Sequence, residues 1–431
     1  MPSLNNALYF EWHKATPEAK YTYLKLIERQ FKLGQLPSGL EALSEETGVN
    51  KKTLSKSIGV LFQRQLLTKQ QAEPRTFDRG RKSTSITLNP IASSRWNEED
   101  DEIALMLDTC DKYQKKDGQT LQSAQKLLAT ILVRLSDDFG IVSDITQSQL
   151  RAWTGVTSTR LKSILKTLSS IGLIINTIPG LSGAKLFGKK TSIYVLNPRH
   201  PLFLKRYPLY TIKLMQFGVG MSLGAEFYSR CYSLRKIPNP NGYSVELFNF
   251  YGNVAIPESV LPMFADRPVG ASSAYFQEQI DVIVSVLLSQ NLLTKKELNE
   301  WTLETGLFEQ LFLKTPSNSK KEDCASDTQS NIKTEETSED TDKSPSADAL
   351  KVEIEKISRM FYTHIKSLLH SVYGDDNQAL RHRIVSITQM NTEERLLQIV
   401  SIPKREKTIS KKIQAENEVT YTSRDGFSIV D

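Results

Sequence analysis

The apolar positions between residues 17 and 92 follow first a helical and then a strand period. In "PEAKYTYLKLIERQFKL" (17–33), Tyr23, Leu24, Ile27 and Phe31 recur at helical spacing, and Pro17 suits a first helical turn. A short helix is expected over 38–47, with Ser38 as its N-cap. Gly48 then stops the chain, Asn50 caps the next helix, and Leu54, Ile58, Leu61 and Phe62 form that helix's apolar stripe. A strand begins at Leu66 and Leu67, the polar stretch "KQQAEPRTFDRGRKSTS" follows, and the alternating "SITLNP" closes the block as a second strand. The expected order is helix, helix, turn, helix, strand, basic loop, strand.

The same pattern returns. "LRAWTGVTSTRLKSILKTLSSIGLI" (150–174) lies on "LSEETGVNKKTLSKSIGVLFQRQLL" (43–67) without a gap. Leu43 meets Leu150, Thr47 meets Thr154, Gly48 meets Gly155 and Val49 meets Val156. Leu54 meets Leu161, Ile58 meets Leu165, Leu61 meets Leu168, and the closing strands agree as "SITLNP" and "SIYVLNP". The unit repeated is one supersecondary element, too long and too few in copies for a solenoid. A helix expected at 121–136 opens the second copy, and an acidic stretch, "NEEDDE" (97–102), leads into a helical segment between the copies.

Beyond residue 199 the pattern weakens. A helix is expected at 273–293 within a mainly helical region. Residues 316–348 are acidic and rich in Ser and Thr, too polar to offset the entropy of ordering, and a disordered linker is expected there. Helix resumes at 349–373, with Val352, Ile354, Ile357, Phe361, Ile365, Leu368 and Leu369 as its apolar face, and a second helix is expected around 377–400 to pair with it. The last residues are polar, with a basic patch at Lys404, Arg405, Lys407, Lys411 and Lys412.

Charge adds to this picture through its distribution. The net charge is +6 and the pI about 8.9. From 145 to 225 there is no Asp or Glu, against eleven Lys and Arg, whereas the linker carries nine acids against four lysines. A merely soluble surface mixes signs, so the basic span reads as an electrostatic footprint for phosphate. Cys110, Cys231 and Cys324 are far apart, with no CxxC pair, which suggests a reducing compartment. No signal-peptide h-region or long apolar run is seen, so a cytoplasmic protein with no membrane partner is expected.

The candidate chemistry sits at the two turns. Glycine there permits a positive φ, and the polar residue after it caps a helix whose exposed start offers donors to base edges and phosphates. The first copy presents Asn50, Lys51, Lys52, Thr53 and Lys56; the second presents Thr157, Ser158, Thr159, Arg160 and Lys162. The loops between the closing strands add Arg75, Arg79, Arg81 and Lys82 in the first copy and Lys185, Lys189 and Lys190 in the second. Either structure also fits a plain helix corner or a solvated hairpin, and the duplication favours the binding reading. "GAKLFGKKT" (183–191) nearly matches a phosphate loop, but Lys190 stands where Ser or Thr would hold magnesium and a strand follows. The five histidines show no metal spacing, so neither an enzyme, a metal nor a cofactor is expected.

These residues and their order resemble the winged helix-turn-helix superfamily. Two tandem copies with a helical tail look like the double winged-helix replication initiators of plasmids, and "SQLRAWTGVTSTRLKSILKTLSSIGLI" is similar to the DNA-binding heads of phage replication proteins. The resemblance implies a mainly α fold with small β-wings: a first winged-helix domain at 1–92, a connector at 93–120 and a second winged-helix domain at 121–199. A helical region (200–315), the linker (316–348), a C-terminal helical unit (349–402) and a basic tail (403–431) complete it. The implied function is sequence-specific binding of double-stranded DNA to initiate replication of a plasmid, phage or other mobile element, with the C-terminal helices recruiting replication or transcription machinery and homodimerisation left open. A transcriptional regulator with the same heads, or a winged-helix scaffold that docks proteins, are the alternatives.

Overall fold

The computed structural model of the chain describes residues 3–11, 15–34, 36, 39–71, 84–89, 96–115, 117–184, 186–204, 210–216, 223–235, 243–246, 253–265, 271–289, 295–312, 345–373, 380–388, 395–403, 418–421 and 429–430. These residues are mainly helical, with small sheets whose strands pair mostly antiparallel. They fall into two compact units, residues 1–177 with 191–207 and residues 178–190 with 208–431. Among the described residues no helix is long and apolar enough to cross a membrane.

The first unit opens with α1 (Leu4–Tyr9), capped by Ser3. In α2 (Pro17–Leu33) the Thr16 hydroxyl accepts from the Ala19 amide at 3.2 Å, and Pro17 takes the first turn, where its missing N–H costs no intrahelical bond. Tyr23, Leu24 and Ile27 are buried as their spacing requires. Phe31 instead lies at the surface, stacked on Trp96 with centroids 3.8 Å apart. α3 (Leu40–Thr47) follows Gly39, which supplies no side-chain cap; Ser38 lies outside the described residues. α4 (Lys51–Gln63) buries Leu54, Ile58 and Leu61 and leads to an antiparallel pair, β1 (Leu67–Gln71) and β2 (Thr84–Leu88).

α5 (Glu98–Lys112) starts with a capping box in which Asn97 and Asp100 each accept the other's backbone amide at 3.1 Å. Then come α6 (Ser123–Leu135), β3 (Ile141–Val142), α7 (Gln147–Thr154), α8 (Ser158–Ser170) and β4 (Ile174–Ile178). β5 (Leu181–Ala184) and β6 (Gly188–Lys190) form a hairpin that belongs to the second unit, after which β7 (Ile193–Leu196) completes a sheet of order β3-β7-β4.

The two repeated blocks do not build separate cores. One apolar cluster takes Leu24, Leu54 and Leu61 from the first, Ile103 and Leu107 from α5, and Leu128, Leu132, Leu161 and Leu168 from the second. α5, within the segment 93–120 expected as a connector, is therefore part of the packed core. The cause is local: Ile103, Met106, Leu107 and Cys110 recur at helical spacing and give α5 a stripe that must be buried.

Charges reinforce the junction. Lys25 of α2 is fully buried and lies 2.6 Å from Glu28, 2.9 Å from Asp108 and 3.0 Å from Asp111. Lys126 of α6 reaches Asp111 at 2.6 Å, and the Tyr21 hydroxyl donates to the same carboxylate at 2.5 Å. Burial alone would raise the Asp108 pKa, but hydrogen bonds from Lys32 and Lys25 outweigh it and hold the group well below the usual carboxylate range. Asp111 is lowered in the same way, against burial, by Lys25 and Lys126. Helices of both blocks thus share one set of ion pairs.

The second unit contains β8 (Tyr210–Gln216), α9 (Leu223–Leu234), the hairpin of β9 (Tyr243–Glu246) and β10 (Asn253–Ile256), and a 3-10 helix at Glu258–Met263. It continues with α10 (Ala271–Ser289), α11 (Lys295–Glu300), α12 (Thr305–Phe312) and α13 (Pro345–Tyr373). β11 (Leu380–Thr388), β12 (Arg395–Pro403), β13 (Glu418–Tyr421) and β14 (Ile429–Val430) join β8 in a sheet of order β11-β12-β8-β13-β14.

Several expectations change here. The helix expected around 377–400 is instead the β11–β12 hairpin, with Leu380 opposite Pro403 and Thr388 opposite Arg395. "RHRIVSIT" and "LLQIVSI" are rich in β-branched residues that suit a pleated surface, and Ser289 and Ser285 of α10 accept the His382 and Ile384 amides at 3.0 and 2.9 Å, satisfying donors along that strand. The region 200–315 and the expected C-terminal unit 349–402 are not separate, because β8 pairs with β12. α13 begins inside the expected linker, at Pro345, and buries Ile354, Ile357, Phe361, Ile365 and Leu369 while leaving Val352 exposed. β13, within the expected polar tail, pairs in parallel with β8. The rest of the expected linker, 316–344, and the patch from Lys404 to Lys412 lie outside the described residues.

Candidate nucleic-acid interface

The two turns have the same local construction. Gly48 has φ 64° and Gly155 φ 71°, the left-handed region that side chains resist. The hydroxyls of Thr47 and Thr154 donate to the carbonyls of Leu43 and Leu150, at 2.6 and 2.5 Å, and so close the last turn of α3 and of α7. Val49 and Val156 are buried beneath the turns. The Asn50 side chain then accepts from the Thr53 amide at 2.9 Å and the Thr157 hydroxyl from the Arg160 amide at 3.4 Å, so each second helix starts on its expected cap.

The candidate side chains around these starts are largely solvent-facing. Asn50, Lys51, Lys52 and Lys56 are exposed and Thr53 is half-buried; Thr157, Ser158, Thr159 and Lys162 are exposed and Arg160 is half-buried. Lys51 pairs with Glu41, whose carboxyl is lowered by the hydrogen bond and charge of that lysine. Among the described residues no carboxylate pairs with Lys52, Lys56 or Lys162. Lys166, one turn beyond Lys162 on α8, is also exposed and unpaired among the described residues. The capped-turn pattern does not reach that far along the helix. Its spacing of four from Lys162, which puts both on one stripe, is the signal that finds it.

Tertiary surroundings separate the two turns. Around Gly48 a Cβ would meet nothing within 4 Å. A Cβ on Gly155 would lie 2.5 Å from the Ala15 carbonyl oxygen. Next to that contact Arg160 forms an ion pair with Glu18 in the first turn of α2, and Tyr9 meets Trp153 edge-on with centroids 5.2 Å apart. The second turn is therefore docked on the start of the first block, and the first turn is open.

The loops between closing strands contribute less than their charge suggests. Arg75, Arg79, Arg81, Lys82 and Lys185 lie outside the described residues. In the second copy the hairpin folds into the second unit: Leu181, Leu186 and Phe187 are buried, and the Phe187 ring is 5.2 Å from Tyr275 and 6.2 Å from Phe312. Lys190 donates to the Gln310 carbonyl at 3.1 Å, while Lys189 is exposed. The Leu186–Phe187 pair at the tip is the legible sign that this hairpin is anchored. The near-match to a phosphate loop ends in β6 and β7, with no helix after it. Among the described residues no group of three His, Cys, Asp or Glu could hold a metal ion.

No protein-family model matches the chain, and no curated protein matches it significantly.

Proposed function

We propose that the first unit is a tandem winged-helix head that binds double-stranded DNA sequence-specifically, and that the chain initiates replication of a plasmid, phage or other mobile element. The observation that carries this reading is the charge at the two capped helix starts. A surface helix gains from acids in its first turn and loses from cations there. α5 has four acids in its first turn and α2 and α3 one each; α1, α4, α6, α7 and α8 have none, and of these α4 opens on two lysines. Lys51 and Lys52 open α4, and Arg160 stands in the first turn of α8; Lys51 and Arg160 are paired with Glu41 and Glu18, while Lys52 is exposed with no paired carboxylate among the described residues. A cation at such a helix start disfavours the free protein and becomes favourable against a polyanion whose counterions are released. The acid-free span from 145 to 225 supports the same reading.

Replication in preference to regulation rests on the resemblance of the duplicated block to initiator heads, with the second unit as the element that recruits the machinery. Footprinting the full chain on DNA flanking its own gene, over a range of salt, tests both levels. Repeated sites beside an AT-rich tract are expected. A single promoter site would make the protein a regulator, and absence of salt-dependent affinity would remove the DNA reading and leave a protein-docking scaffold. Changing Lys51 and Lys52 to Ala is expected to weaken binding, by about 1–3 kcal/mol at any base position that either side chain reads.

A further inference from the structure

We infer that the two turns divide the work on one duplex: α4 reads base edges, and α8 grips the sugar-phosphate backbone through Lys162 and Lys166. This rests on the DNA-binding reading above and adds a specific role for each helix.

Both turns are attached to α2. Arg160, at the second turn, pairs with Glu18, and the Arg29 side chain donates to the carbonyl of Glu46, beside the first turn, at 2.9 Å. From Glu18 to Arg29 is eleven residues, about 16 Å along a helix rising 1.5 Å per residue. Eleven residues are also close to three full turns, so both attachment points share one face of α2. One face of one helix thus holds both turns, which suits their use on a single duplex.

Arg160 is the side chain of α8 best shaped for bidentate contact with guanine, and Glu18 already engages it. The turn beside it is closed by the Gly155–Ala15 approach. What α8 and its cap leave exposed are the hydroxyl residues Thr157, Ser158, Thr159, Ser163 and Ser170 and the two ammonium groups of Lys162 and Lys166. A recognition helix reads base edges with the residues at its start, and Lys162 and Lys166 lie beyond the first turn of α8, where a point charge suits phosphate. α4 differs at its start: its turn is open, and Lys52, in the first turn, is exposed with no paired carboxylate among the described residues, followed one turn on by Lys56.

The test uses the full chain, a duplex chosen by selection from random DNA, and a scrambled duplex of equal length, titrated across salt. Lys162→Ala with Lys166→Ala is expected to weaken both duplexes by the same factor and to reduce the salt slope by about 0.9 for each phosphate left unneutralised. Lys52→Ala with Lys56→Ala is expected to lose at least about ten-fold on the selected duplex beyond its loss on the scrambled one, the discrimination that one good base contact supplies. Thermal melts of both variants matching the unsubstituted chain keep the comparison about binding. A selective loss on the chosen duplex from the α8 pair, or a selected site with two informative blocks ten base pairs apart, each sensitive to one helix, would overturn the division while leaving DNA binding intact. An unsubstituted chain that binds neither duplex would overturn DNA binding itself.

Discussion

The two copies of the repeated block share a glycine turn, a threonine closing the helix before it and a capped helix after it, yet one turn faces open space and the other is packed on its sibling. Gly48 has no neighbour within 4 Å of a would-be Cβ, whereas Gly155 sits against the Ala15 carbonyl. A duplicated local signature fixes a duplicated local shape. What each copy contacts is decided by the rest of the chain, here by α1, α2 and the charged layer that joins α2, α5 and α6. The second copy has exchanged part of its free surface for the fusion of two blocks into one core.

The largest expected effect comes from breaking that fusion. Lys25 is fully buried among three carboxylates. Lys25→Ala leaves Glu28, Asp108 and Asp111 short of a partner and is expected to cost about 3–5 kcal/mol in urea unfolding. A single cooperative transition is expected before the substitution for the residues of the first unit; separate transitions for the two blocks would show independent cores. The same layer sets a pH dependence. Asp108 and Asp111 have folded pKa values below their unfolded ones, so their contribution is fully present above the ordinary carboxylate range and is lost as pH falls through it toward the folded values. Urea midpoints measured from pH 6 downward are expected to fall more steeply for the unsubstituted chain than for Asp108→Asn.

A smaller effect separates the turns directly. Gly48→Ala places a side chain in the left-handed region and is expected to cost about 1–2 kcal/mol. Gly155→Ala carries that cost and also drives a Cβ onto the Ala15 carbonyl, adding about 1–3 kcal/mol of overpacking. Equal losses in thermal or urea unfolding would mean that the second turn is as open as the first.

What is legible in the sequence follows from the same contrast. The turns, Asn50 and Thr157 as caps, Pro17, and the stripe of Leu54, Ile58 and Leu61 can be read there because each depends on residues within a turn or two. The β11–β12 hairpin reads as helix because its stabilising partner, β8, lies far back in the chain and a short apolar run alone does not settle period. The second basic hairpin reads as a free wing from its lysines, while Phe187 is the residue that decides its packing. Acidic α5 is expected only as part of a connector, yet Asp100 is buried: it accepts from the Ser3 hydroxyl at 2.8 Å and so ties α5 to α1. Such long-range pairs have no local signature.

The smallest effect is the most discriminating. Arg160–Glu18 and Lys51–Glu41 are both ion pairs at the start of a second helix, but they differ in surroundings. Glu18 is about a quarter exposed and Arg160 somewhat more, beside the packed Gly155; Lys51 and Glu41 are both mostly in water. Water and salt screen the second pair nearly completely, and the first only in part. A double-mutant cycle on Arg160→Ala and Glu18→Gln is expected to show coupling of about 0.2–1 kcal/mol that weakens with salt. The matching cycle on Lys51→Ala and Glu41→Gln is expected to show none that can be measured. Coupling in both or in neither would make the two helix starts electrostatically alike, and the difference between an open turn and a docked one would then rest on the glycine contact alone.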